Sequence, residues 1–149
     1  MPAKDQVSSK LWSRRLWLYP LVYPLHIIEE VRGVGALHGI NLSQRNFFVL
    51  SGAAWLMLVI GTALSQRFRL PQFLEILLGT LVVANALSHI VNSIVIAGYD
   101  AGVITGTLLF IPLGAMTLLS LRKSMRPLRY FAAAGLGLVV QGAIMIIAW

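Results

Sequence analysis

Apolar residues in this chain come in long runs separated by short polar breaks, and the breaks divide it into five segments. These cover roughly residues 16–31, 47–64, 73–97, 103–121 and 130–149. Runs of about 20 apolar residues match a hydrocarbon core about 30 Å thick. Helices are the form they must take, because lipid satisfies no backbone group and the short connections leave no room for a closed barrel. The breaks are Arg67-Phe68-Arg69-Leu70-Pro71, Tyr99-Asp100-Ala101-Gly102, and Arg122 through Arg129 with Pro127. Pro20 and Pro24 stand inside the first segment, where they kink it or shape its entry. The pattern therefore predicts an all-α chain. It reads as a single transmembrane domain over residues 1–149, a polytopic bundle of about five membrane-spanning helices, without internal repeats.

Composition agrees. Of 149 residues, 58% are hydrophobic and only 11% charged, and the mean hydropathy is +0.80. A soluble domain of this size carries about a quarter charged residues. With charge this scarce, the net +7 does not argue for a nucleic-acid partner; its distribution orients the bundle instead. Lys4, Lys10, Arg14, Arg15, Arg67, Arg69, Arg122, Lys123, Arg126 and Arg129 fall on one side, and of the twelve cations only Arg32 and Arg45 fall on the other. The positive-inside rule then places the N-terminus in the cytoplasm and the C-terminus outside, in a plasma or inner membrane. Trp12, Trp17, Tyr99, Tyr130 and Trp149 lie near segment ends, as an interfacial belt requires. A cleaved signal ending at Val34-Gly35-Ala36 is disfavoured, because Glu29-Glu30-Val31-Arg32 separates it from the apolar run. Cysteine is absent, which excludes disulfides and thiolate metal sites.

Ionisable groups stand out against this background. His26, Glu29 and Glu30 occupy positions i, i+3 and i+4 of the first segment and share one helix face. Asn85, His89 and Asn92 form a second polar stripe on the third segment, bordered by Ser88. Such groups are costly in lipid and face a bundle interior or a wet cavity. Counted at 1.5 Å per residue, His26 is about 15 Å, the glutamates about 20 Å and His89 about 24 Å above the inner ends of their helices. Thr105 enters from outside to a similar level. Three helices thus bring polar residues to one depth in the outer half of the bilayer, which predicts a single site.

The same residues form ordered motifs. His26-Ile27-Ile28-Glu29-Glu30 reads H-x-x-E-E, Asn85-Ala86-Leu87-Ser88-His89 reads N-A-x-x-H, and Gly102-Val103-Ile104-Thr105-Gly106 reads G-x-x-T-G. In this order the chain resembles the HXXEE-domain family of integral membrane proteins over nearly its whole length. The resemblance implies that these residues act together; it names no reaction and no substrate.

The side chains suggest the chemistry. His26, Glu29 and His89 make a His₂Glu set that can hold a divalent ion, zinc or iron, with a fourth position left for water, although Glu30, also one turn from His26, is separated from Glu29 as the ligand only narrowly. Glu30 is then a general base or a neighbour of the ligands, Asn85 orients an imidazole, and Thr105 joins them. The function expected first is a metal-dependent enzyme acting on a membrane lipid or a lipid-like, apolar small molecule. A metal-free alternative uses one glutamate as acid and the other, or a histidine, as base for an isomerase or hydrolase. A third reading is a non-enzymatic transport or ligand-binding protein. Gly102-x-x-x-Gly106 and Ala133-x-x-x-Gly137 are close-packing pairs within the chain or between copies of a homo-oligomer. Trp55 and Gln141 line the cavity or simply pack. Glu75 pairs with Arg67 or Arg69 at the inner surface, and the loop from Gly33 to Asn46, with His38 and Asn41, caps the site or is simply a polar connection.

Overall fold

The computed structural model describes residues 15–34, 42–68 and 70–148. Lys4, Lys10, Trp12, Arg14, His38, Asn41, Arg69 and Trp149 lie outside the described residues, as does most of the expected capping loop. The described elements are helical throughout. Helix α1 spans Leu18–Glu30 and ends in a 3₁₀ turn, Val31–Gly33; α2 spans Gln44–Arg67 and α3 spans Pro71–Val95. Helix α4 covers Val103–Leu121 and α5 covers Pro127–Ala148.

Four of these, α2 to α5, are long and apolar enough to cross a membrane. The chain is thus a polytopic helical membrane protein. Helix α1, with 13 residues, is about 20 Å long at 1.5 Å per residue and falls short of the hydrocarbon thickness by itself. The first expected span is therefore represented by a shorter helix among the described residues.

Local chemistry explains most boundaries. Ser43 caps α2 by accepting from the Asn46 N–H at 3.3 Å. Pro71 opens α3 at a position where a missing N–H costs nothing. At the other end of α3, the Gly98 N–H reaches the Ser93 carbonyl at 3.0 Å and the Ala97 N–H reaches Ile94 at 3.1 Å. That pair of bonds is a Schellman ending, and it puts Ala97 at φ 49° where glycine is the usual occupant. Within α1, Pro24 has no N–H to give the Pro20 carbonyl one turn back. The Trp55 indole N–H of α2 donates to that carbonyl at 2.9 Å, so Trp55 stitches α2 to the proline break.

Two packed levels fix the order of the helices. At the basic end, Ile76, Leu121 and Ala133 are fully buried together, with Phe73, Leu118 and Tyr130 around them. Gly137 lies so close to α3 that a Cβ there would come within 2.5 Å of the Leu77 carbonyl, so the Ala133/Gly137 pair serves contacts inside the chain. One layer further on, Tyr19 donates to Thr117 at 2.8 Å above Gly79. The beginning of α1 thus meets the first half of α3 and the last half of α4, so successive helices alternate in direction. The Arg67, Arg122–Arg129 and Arg15 ends consequently gather at one end of the bundle, and the loops carrying Arg32 and Tyr99 at the other.

Candidate functional site

Alternation places the end of α1, the end of α3 and the start of α4 together. There the structure unites His26 and His89, whose ring centroids are 5.2 Å apart. Both are almost fully buried, at 1% and 3% exposure. Phe110 covers His26 from below with its ring 4.3 Å away. It belongs to a single π-helical turn, Gly106–Phe110, inside α4. Such turns re-aim side chains, and this one just precedes Pro112, whose missing N–H removes an α-helical bond in any case.

The two glutamates face different partners. Glu29 points across to α4 and caps that helix from outside. It accepts from the backbone N–H groups of Ile104 (2.9 Å) and Thr105 (2.7 Å), from the Thr105 hydroxyl (2.5 Å) and from the Tyr99 hydroxyl (2.8 Å). A carboxylate at a helix N-terminus satisfies orphan donors and meets the positive end of the dipole. Partial burial raises the Tyr99 hydroxyl, and its bond to Glu29 raises it further, to about 12, so Tyr99 remains a donor at neutral pH. With both oxygens engaged, Glu29 does not join the histidines. Glu30 does. Its Oε1 lies 3.2 Å from His26 Nε2 and 3.1 Å from His89 Nε2. His26, Glu30 and His89 thus offer three ligand atoms within 4.8 Å of one another, in place of the expected set with Glu29.

The outer nitrogens of both rings are held as well. His89 Nδ1 meets Asp100 Oδ2 at 2.6 Å, and the Asn92 amide donates to Asp100 Oδ1 at 2.8 Å. A carboxylate only accepts, so the ring donates from Nδ1, and a ring that carries this one proton turns its Nε2 lone pair inward. His26 Nδ1 meets Thr105 Oγ1 at 2.7 Å. Because that hydroxyl gives its own proton to Glu29, it accepts from His26, and the His26 Nε2 lone pair is likewise turned inward. His26 Nε2 is buried and, despite its nearness to Glu30, has no hydrogen-bond partner. Two ring nitrogens and one carboxylate oxygen therefore converge on one point.

Glycine and alanine make this closeness possible. Gly102, at φ 109°, caps α4 from beside the rings; a Cβ there would come within 2.7 Å of His89 Nε2 and 3.0 Å of His26 Cε1. Gly106 packs on Ala86, with 3.2 Å from a notional Cβ to the Ala86 Cα. N-A-x-x-H and G-x-x-T-G are thus two sides of one α3–α4 contact that brings Thr105 and His89 to the centre.

Other expected residues take different places. Asn85 lies one turn before His89; its Oδ1 is buried without a hydrogen-bond partner, while Asp100 performs the orienting contact expected of it. Glu75 is 1% exposed and neither oxygen has a hydrogen-bond partner; the charge that acts on it is Arg15 rather than Arg67. Gln141 is buried on α5, and Trp55 bonds Pro20 as described. Asp100, Tyr99 and the conformation of Gly102 were not legible as site features. The one available signal was an aspartate, among only five acidic residues, in the loop just beyond the helix that carries His89.

Residues 17–117 match the family described as proteins of unknown function with an HXXEE motif. The chain belongs to that family, and the matched region contains every residue of the His–Glu centre. No curated protein and no solved structure matches the chain.

Proposed function

We propose that the chain is a metal-dependent membrane enzyme whose ion is held by His26 Nε2, His89 Nε2 and Glu30. The observation that carries this reading is the convergence of three potential ligand atoms, one of them a buried imidazole nitrogen without a hydrogen-bond partner. Their spacing suits an ion. Ligands about 2.0–2.1 Å from a tetrahedral zinc stand about 3.3 Å from each other, and the two nitrogen–oxygen separations here are 3.2 and 3.1 Å. The donors suit zinc or iron, since imidazole and carboxylate serve both. A bound ion would supply Lewis acidity and an acidified water. The chain's own part is to hold the imidazole lone pairs inward through Asp100 and Thr105, and to keep Glu29 engaged with α4.

The substrate class follows from the surroundings. Ile28, Ile94, Val95 and Ile104, near the site, are all more than half exposed, and in a bilayer such a ring meets lipid. A molecule arriving through lipid is itself lipid-like or apolar. Charge asymmetry supports a cytoplasmic basic end and a site in the outer half of a plasma or inner membrane.

A metal-free reading draws on one contact. His89 Nε2 and Glu30 Oε1 are at hydrogen-bond distance, 3.1 Å, so without an ion a proton shared there would make an acid–base pair for isomerising or hydrolysing a lipid. Elemental analysis of detergent-purified protein separates the two. About one equivalent of zinc or iron per chain, lost in His89→Ala and in Glu30→Gln, is expected. No metal in the wild type, with activity retained, would select the acid–base reading.

A further inference from the structure

The three sequence motifs account for the inner face of the centre, yet one of its closest contacts comes from outside them. Asp100 belongs to the short connection between α3 and α4, is 5% exposed, and holds His89 Nδ1 at 2.6 Å. Its second oxygen is fixed by the Asn92 amide at 2.8 Å, one turn beyond His89 on α3. The aspartate is therefore held from two sides, and it holds the ring in turn. The corresponding contact at His26 differs in kind: the Thr105 hydroxyl is neutral, and its proton is already committed to Glu29.

We infer that Asp100 is the positioning residue that makes His89 the stronger of the two imidazole ligands, by fixing its Nδ1–H tautomer and raising the basicity of Nε2. The inference rests on the metal reading above and extends it to a residue outside the three motifs. A carboxylate behind a ligating imidazole does both things: it takes the Nδ1 proton as its hydrogen-bond donor and it polarises the ring toward the ion. A neutral acceptor such as Thr105 does the first and little of the second. Removing such partners in metal proteins costs about 10–100-fold in affinity, so Asp100 and Thr105 should give unequal losses.

Geometry also explains why the contact comes from this loop. Ala97 at φ 49° turns the chain sharply after α3. Gly102 at φ 109° turns it again into α4, with its backbone against both rings. Between these turns Tyr99 reaches Glu29 and Asp100 reaches His89. The four residues between the turns thus serve both arms of the centre, and Gly33 closes over them against Ala101, 2.8 Å from a notional Cβ.

The test uses cobalt(II) as the probe on full-length protein in detergent. Asp100→Asn keeps the shape and removes the charge; Thr105→Val keeps the shape and removes the neutral acceptor. The expected results are a 10–100-fold weaker cobalt dissociation constant for Asp100→Asn, with an altered visible ligand-field spectrum, and a smaller loss for Thr105→Val. Imidazole nitrogen NMR of the zinc-loaded wild type, zinc being diamagnetic, should show His89 protonated on Nδ1 and metal-bound through Nε2. A wild type that binds cobalt with the same affinity and spectrum as Asp100→Asn overturns the inference and leaves the metal reading intact. The opposite tautomer at His89 in the wild type overturns it without recourse to any variant. A wild type that binds neither cobalt nor zinc removes the metal reading itself.

Discussion

Adjacent glutamates on one helix offer a sharp test, because the structure gives them unlike work. Glu29→Ala removes the acceptor of two backbone N–H groups at the start of α4, Ile104 and Thr105, and of two hydroxyls. A buried donor left without an acceptor costs about 1–3 kcal/mol, so the two amides alone set a scale of about 2–6 kcal/mol. Loss of a negative charge at a helix N-terminus adds about 0.3–1 kcal/mol. The cap lies near the loop end, where water can replace part of what is lost, and hydrogen bonds measured inside membrane proteins average only about 0.6 kcal/mol. The expected loss is therefore about 2–4 kcal/mol. Glu30→Ala removes one acceptor from a group of three that face one another, and should cost about 1 kcal/mol or less in metal-free protein. Denaturant unfolding in detergent micelles, with chelator present so that ion binding adds nothing to stability, measures both. Metal content measured in parallel should fall with Glu30→Ala. Equal stability losses, or a larger loss for Glu30→Ala, would refute the assignment of Glu29 as cap and Glu30 as ligand.

Three further outcomes are expected. Ala97→Gly relieves a left-handed alanine at the end of α3 and should raise stability by about 1 kcal/mol in the same unfolding assay; a destabilised variant would contradict the Schellman ending. Gly102→Ala introduces a Cβ 2.7 Å from His89 Nε2 at φ 109°, so metal content should fall to background while helicity by circular dichroism is kept; full metal occupancy would show that the rings do not lie against this turn. A reporter fused after Trp149 should score as external, given the ten cations on one side and two on the other; a cytoplasmic signal would refute an odd number of spans.

The membrane class, and the grouping of His26, His89 and Thr105 with the two glutamates, were readable from the amino-acid order alone. Lipid leaves a backbone few choices, so apolar runs of the right length announce helices, and charged or imidazole groups within them announce a site. Helical periodicity was enough to put His26 with both glutamates on one face, and depth counting was enough to bring His89 and Thr105 to them. What periodicity could not do was choose between Glu29 and Glu30. Both lie one turn from His26, at i+3 and i+4, and differ only by 100° around the axis. That choice depends on where a fourth helix begins: the free N–H groups of Ile104 and Thr105 draw one carboxylate, and the other is left to the imidazoles. Asp100 was hidden for a related reason. It reads as a loop breaker until the turns at Ala97 and Gly102 fold it back onto His89, and turns of that kind are set by the packing of α1, α3 and α4 against one another. Charge partners such as Arg15 with Glu75, and the Trp55 bond to the carbonyl freed by Pro24, are equally matters of which helix stands beside which. One-dimensional spacing does not carry that information, because each helix has several faces and only the packed bundle selects the one that is used.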